Sequence, residues 1–145
     1  MIDDLKKELR LDEGCRYSIY RCTADKLTFG IGHLVKSDDP EFGEAEGTFV
    51  MPMRVEEAFD QDVKNALLDC HSVFDNFYGL PEEVQKIIAN MMFQLGINRF
   101  CTFKKFIAAI EDQNWNLAAD EMRNSLWNKQ THARSERLID RMKSV

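Results

Sequence analysis

The 145-residue chain, 44% hydrophobic, is long enough for one compact domain that buries well over half of its unfolded surface. Its formal charge of −6 argues against a nucleic-acid partner, because neutralising phosphate demands a basic face. No stretch approaches the roughly 20 apolar residues of a membrane span, and the acidic start Met1-Ile2-Asp3-Asp4 has no apolar run behind it. Stable membrane association is therefore not expected, and the chain is expected to begin life in a cytoplasm.

Ile2, Leu5 and Leu9 recur at helical spacing behind two acids that suit a helix N-terminus. Gly14 supplies a C-terminal stop, so a short first helix is predicted to end near Glu13. From residue 16 to 33 the period falls to two. Tyr17 and Ile19, then Leu27, Phe29 and Ile31, flank the polar Thr23-Ala24-Asp25-Lys26 as in a hairpin, with Gly30 and Gly32 thinning the second strand. Residues 36–47, with Pro40, Gly43, Gly47 and five acids, read as a solvated loop of low functional content before a short strand Thr48-Phe49-Val50. After Pro52 the chain turns helical, with Val55, Ala58, Phe59, Val63, Ala66, Leu67 and Cys70 on one apolar stripe.

Val84, Ile87, Ile88, Met91, Met92 and Leu95 repeat that pattern up to Gly96, and Phe103, Phe106, Ile107 and Ile110 begin another helix. Trp115, Ala118, Ala119, Met122 and Leu126 make a further one, and Thr131 is a plausible N-cap for a last helix carrying Leu138, Ile139 and Met142. The fold class is α+β, a small sheet beside a larger helical bundle. The four cysteines, Cys15, Cys22, Cys70 and Cys101, show neither a CxxC pair nor zinc-site spacing. At least three are expected to be ordinary buried thiols, with no disulfide staple and no metal. Arg123, Lys129, Arg134, Arg137, Arg141 and Lys143 face only Glu136 and Asp140, which leaves room for a basic patch or a solvated helix surface.

Polar residues that break an apolar pattern mark candidate sites, because a buried charge must find a partner. Asp62 lies inside the inward stripe of its helix, and His33, closing the hairpin strand, is its candidate partner in a plain structural salt bridge. Arg134, four residues before Leu138, is expected to point inward toward a carboxylate. Glu13 occupies the end of the first helix, where the negative pole of the dipole disfavours an ionised carboxylate. A carboxyl kept protonated is what a general acid requires.

The segment Arg10-Leu11-Asp12-Glu13-Gly14, followed by Ile19-Tyr20 and Thr28-Phe29-Gly30-Ile31-Gly32-His33, closely resembles the start of the phage-type lysozymes (glycoside hydrolase family 24). Their site is a Glu, eight residues, an Asp or Cys, five residues, then a Thr. Glu13, Cys22 and Thr28 match that spacing. The resemblance continues through Phe59-Asp60-Gln61-Asp62, Asn90-Met91-Met92-Phe93-Gln94-Leu95-Gly96 and Trp127-Asn128-Lys129-Gln130-Thr131 up to Arg134. It implies a single lysozyme-like domain, 1–145, with two lobes facing each other across a cleft. Residues 13–53 are the β-hairpin lobe, 54–74 the connecting helix, and 1–12 with 75–145 the helical lobe.

The same resemblance implies Glu13 as the acid that protonates the leaving glycosidic oxygen and Thr28 as a hydroxyl that helps hold the attacking water. It pairs Arg134 with Glu13, and His33 with Asp62. Leu34, Phe93, Phe106 and Glu121 fall at substrate-contact positions, and Gln94 is a further cleft-lining candidate. The implied substrate is bacterial peptidoglycan, cleaved between N-acetylmuramic acid and N-acetylglucosamine by a monomer with no metal or organic cofactor. The net charge suits that anionic polymer poorly. An enzyme made in the host cytoplasm also needs a holin-like pore to reach the wall.

Cys22 stands where the T-even type has an aspartate, so two carboxylates cannot be assigned. An unperturbed thiol with pKa about 8.5 is only a few per cent ionised at pH 7, which calls for a neighbouring cation. Asp25, in the hairpin turn, is the other available carboxylate. The loop 36–47 is shorter than its family counterpart. Three competing readings stand beside the hydrolase: a lytic transglycosylase, which needs one acid and base only; a non-catalytic glycan-binding protein of lysozyme fold; and an unrelated helical interaction module.

Overall fold

A computed structural model describes all 145 residues. In chain order the elements are α1 (Ile2–Glu13), β1 (Arg16–Arg21), β2 (Leu27–Gly30), β3 (His33–Leu34), α2 (Pro52–Val73), a 3-10 turn (Phe77–Gly79), α3 (Glu82–Phe100), α4 (Lys104–Glu111), α5 (Trp115–Arg123), α6 (Leu126–Gln130) and α7 (His132–Lys143). Seven helices and a three-stranded antiparallel sheet, ordered β1-β2-β3, make an α+β lysozyme-like fold. The chain divides inside α2 into two units, Ile2–Asn65 and Ala66–Val145 with Met1. In this division α1 goes with the strands, whereas the sequence reading set residues 1–12 with the later helices.

In the first unit α1 stops because Gly14 takes a left-handed φ of 70° and returns its N–H to the Arg10 carbonyl at 3.0 Å. Leu5 and Leu9 are buried, and Arg10 forks onto Glu56 of α2 while its guanidinium lies 4.9 Å from the Phe59 ring centre. The β1 turn is closed by Asp25 N–H to the Cys22 carbonyl at 2.8 Å, with Asp25 left-handed at φ 60°. Residues 48–50 form a single bridge, Ser18 with Phe49, on the free edge of β1. The predicted strand is therefore shorter than the alternation suggested. At Gly30 an added Cβ would meet Val55 Cγ1 at 2.9 Å, so the bare glycine is what admits α2 against the sheet.

The loop 36–47 holds more structure than its composition promised. His33 is buried and has carboxylates on both ring nitrogens: Asp62 on Nδ1 at 2.7 Å and Asp39, from the loop, on Nε2 at 2.8 Å. Arg54 grips buried Glu41 through Nε and Nη2 at 2.9 and 3.0 Å and reaches Asp39 at 3.3 Å and Glu57 at 2.9 Å. An acidic segment thus closes over the base of the sheet by finding its two cations there.

In the second unit Gly96, at φ 76° and ψ 160°, breaks α3, as the glycine placed after Leu95 predicted. Its core includes Ile87, Ile88 and Met91, with Phe100 meeting Phe74 and Phe106 edge-on. Leu126 belongs to the separate short helix α6 rather than to α5, because Ser125 caps a new N-terminus by accepting the Asn128 N–H. Thr131 precedes α7 without capping it; its hydroxyl donates to the Trp127 carbonyl at 2.9 Å.

All four cysteines are free, but only Cys70 is buried, where burial pushes its thiol up. Cys15 and Cys101 are exposed and Cys22 is half-buried, against the expectation of three buried thiols. The basic C-terminal end is largely spoken for. Arg123 pairs with Glu136, Arg141 with Glu83, and Arg134 Nε donates to the Asn90 amide oxygen at 3.0 Å.

Burial works against the charged form of His33, but Asp62 and Asp39 together hold its pKa above the ordinary value of about 6.5. Its share of stability is thus full below that value and lost as pH rises through the folded one. Burial likewise opposes ionised Asp39, yet the Lys36 amide and His33 hold it low; Arg54 holds Glu41 low. Their share is full at neutral pH and lost as pH falls through the folded values. Thermal melting is expected to fall off on both sides of neutrality. His33→Asn is expected to cost about 3 kcal/mol at neutral pH and to remove the alkaline limb; an alkaline limb unchanged in that variant would contradict the pairing.

Candidate active site

In antiparallel sheets directly opposed residues share a face. Tyr20 opposes Thr28, and Thr28 opposes Leu34, so these three form one row across the strands. Phe29 opposes His33 on the other face, their rings 4.8 Å apart. The sheet thus presents its structural histidine to one side and Thr28 to the other.

Glu13, half-buried at the last position of α1, is set against Gly32 in the turn between β2 and β3. A Cβ added at Gly32 would stand 2.7 Å from Glu13 Oε1 and 3.0 Å from its Cδ. Gly32 is left-handed, at φ 69°, so the turn geometry and the missing side chain make the same demand for glycine. The carboxyl occupies the volume that any other residue would fill.

Cys22 lies at the end of β1, its N–H on the Lys26 carbonyl at 2.9 Å. Burial opposes ionisation of its thiol, but the backbone amides of Lys26 and Ala24 and the Thr28 hydroxyl nearby favour the charged form. Together they hold the thiol below its ordinary pKa. The neighbouring cation that the sequence called for is replaced by turn amides. Tyr20 joins the two halves of the site. Burial pushes its phenol up, Arg16, stacked 4.3 Å from the ring centre, pulls it down, and the charges of Glu13 and Cys22 push it up again. Tyr20 thus opposes Thr28 in the sheet and feels the charges of both Glu13 and Cys22. Asp25, the alternative carboxylate, is exposed at the turn and 3.6 Å from Arg21.

Leu34 is 43% exposed at the end of the row. In the helical unit Phe93 and Gln94 are half-buried, and Gln94 Oε1 accepts the Trp127 indole N–H at 2.9 Å. Glu121 edges a cavity of about 480 Å³, ringed also by Arg99, Lys104, Lys105 and Trp127. Phe106 is only 1% exposed, its ring edge-on to Phe100, and it lines the same cavity. Sequence reasoning missed Gly32 as the seat of Glu13, and the Lys26 and Ala24 amides. The Gly30-Ile31-Gly32 spacing was the available signal for the first, and backbone donors carry none.

An α+β chain with a half-buried carboxyl, a thiol held below its ordinary pKa and a hydroxyl in one compact unit has the make-up of an acid–base hydrolase. Residues 10–144 match the phage lysozyme family; the chain belongs to that family and is a glycoside hydrolase. It is 31% identical to probable T4-type lysozyme 1 of Dictyostelium discoideum, over 96% of this chain and 93% of that protein. Probable T4-type lysozyme 2 of the same organism is 32% identical over the same shares. A peptidoglycan hydrolase of Pseudomonas phage phiKMV is 32% identical over 94% of this chain and 15% of its own length.

Gly32→Ala is expected to lower lysozyme activity on the order of 100-fold, since displacing a reacting group by about 1 Å costs that much. The strained φ adds about 1–2 kcal/mol of instability. Activity and thermal melting measured on the same preparation check both, and full activity in a folded Gly32→Ala protein would contradict the seating of Glu13.

Proposed function

We propose that the protein hydrolyses the β-1,4 bond between N-acetylmuramic acid and N-acetylglucosamine in bacterial peptidoglycan, with Glu13 as general acid and Cys22 in place of a second carboxylate. The observation that carries this reading is the seat of the Glu13 carboxyl on Gly32, in the same unit as Cys22. Glu13 gives its proton to the leaving oxygen as the bond from the anomeric carbon breaks. Positive charge develops on the sugar, water adds to the anomeric carbon, and the ionised sulfur takes the water's proton. Thr28 stands beside that sulfur.

Each unit brings glycan contacts of its own to this reading: Leu34 from the sheet, and Phe93, Gln94 and Glu121 from the helices. Arg99, Lys104 and Lys105 around the cavity offer an anionic wall polymer a local group of cations on a chain of net charge −6. No helix is long and apolar enough to cross a membrane. Passage to the wall is assigned to a separate holin-like pore, and the working form to a monomer.

Purified sacculi digested with the protein are expected to release muropeptides with reducing N-acetylmuramic acid ends by mass spectrometry. Ends in the 1,6-anhydro form would contradict hydrolysis and identify a lytic transglycosylase. Cys22→Ser is expected to reduce turnover about 100-fold or more, the range of a lost acid–base group; unaltered activity would remove the sulfur from the mechanism.

A further inference from the structure

The cavity of about 480 Å³ in the helical unit is in the size range of small-molecule sites. Its buried lining is carbon: Trp127 and Phe106 are each 1% exposed, Phe103 meets Trp127 edge-on, and the indole N–H is already given to Gln94. Its remaining lining carries charges of both signs, with Arg99 from the last turn of α3, Lys104 and Lys105 from the start of α4, and Glu121 from α5. The side chains of Lys104, Lys105 and half-buried Glu121 have no ion pair or hydrogen bond, and Arg99 reaches only the Gln130 amide oxygen at 3.4 Å. By contrast Arg123, two residues beyond Glu121, is paired with Glu136. Nor do the lysines serve their own helix. The first turn of α4 has no acid and no side-chain cap, and the helix dipole disfavours cations there.

We propose that this cavity binds the peptide of the wall polymer by a zwitterionic side-chain end, in which one carbon carries both a carboxylate and an ammonium, as in a diamino-diacid residue. Arg99, Lys104 and Lys105 take the carboxylate, and Glu121 takes the ammonium. The methylene chain behind them lies on the carbon surface of Phe103, Phe106 and Trp127. A ligand that is only anionic leaves the half-buried Glu121 carboxylate without a partner. A ligand that is only cationic meets three like charges, which is a repulsive arrangement. A group bearing both signs satisfies every charge around the cavity at once.

This inference rests on the reading of peptidoglycan as the substrate, and it is tested apart from catalysis, by calorimetry on the full chain. The probe is the free synthetic peptide N-acetyl-L-alanyl-γ-D-glutamyl-meso-diaminopimelate. Amidating its side-chain carboxylate is expected to weaken binding to the wild-type protein about tenfold, and acetylating its side-chain amine to do the same, since each removes a charge-assisted hydrogen bond. No binding at millimolar peptide, or equal affinity for all three forms, overturns the proposal with no variant needed. In Glu121→Gln the acetylation effect is expected to vanish and the amidation effect to stay. In the double variant Lys104→Gln, Lys105→Gln the pattern is expected to reverse. Both effects undiminished in variants that melt with the wild type contradict the assignment. Inorganic phosphate competing as well as the peptide marks a plain anion site and also overturns it. If sacculi are cut while the peptide fails to bind, the proposed function stands and this inference alone falls; if the peptide binds and sacculi stay intact, the proposed function falls instead.

Discussion

The empty volume at Gly32 is the constraint on which the site depends. A carboxylate at the end of a helix is mobile unless something fixes it, and here the Glu13 carboxyl is fixed by resting where a side chain is missing. That contact holds only if α1 and the β2–β3 turn keep their separation. The Arg10 fork onto Glu56 and the Lys6 pairing with Asp60 tie α1 to α2, and the close packing of Val55 on Gly30 ties α2 to the sheet. Exposed ion pairs are worth only about 0–1 kcal/mol each, so the burial of Leu5, Leu9, Val55 and Phe59 supplies most of the energy, and the charges set the register.

The exchange of a carboxylate for sulfur changes what the surroundings must supply. A carboxylate is ionised at neutral pH without help, whereas a thiol is not. Hydrogen bonds to a charged acceptor are worth about 1.5–3 kcal/mol each, more than an exposed cation nearby contributes. Here the Lys26 and Ala24 amides of a tight turn favour the ionised sulfur, where charge reasoning calls for a lysine or arginine. The same turn fixes the backbone of Cys22 through Lys26, so the donors and the sulfur are positioned by one local structure.

Much of this was legible in the residues. The periods of three to four and of two marked α1, the β1–β2 hairpin and α2, because those elements each bury one face. Asp62, charged on an apolar stripe, had to meet a partner, and His33 lies 2.7 Å from it. What the chain did not disclose has physical reasons. Residues 36–47 are acidic and rich in glycine and proline, the composition of a solvated loop, yet Glu41 is buried because Arg54 arrives from another element. The pairings of Arg123 and Arg141 with Glu136 and Glu83 depend on helix placement, so the run of cations left a basic patch and a solvated helix surface both open. Gly32 looked like a weak point in a strand because its role lies in what it leaves empty, and backbone amides at Cys22 have no letter in the sequence.

The central claim is that one proton donor, seated on Gly32, breaks the glycan. Glu13→Gln keeps the shape and hydrogen-bonding reach of the side chain and removes only its acid proton. Clearing of outer-membrane-stripped bacteria, followed by turbidity beside a melting curve, is the direct measurement. The account predicts a variant that melts with the wild type and fails to clear the suspension; clearing at the wild-type rate would contradict it.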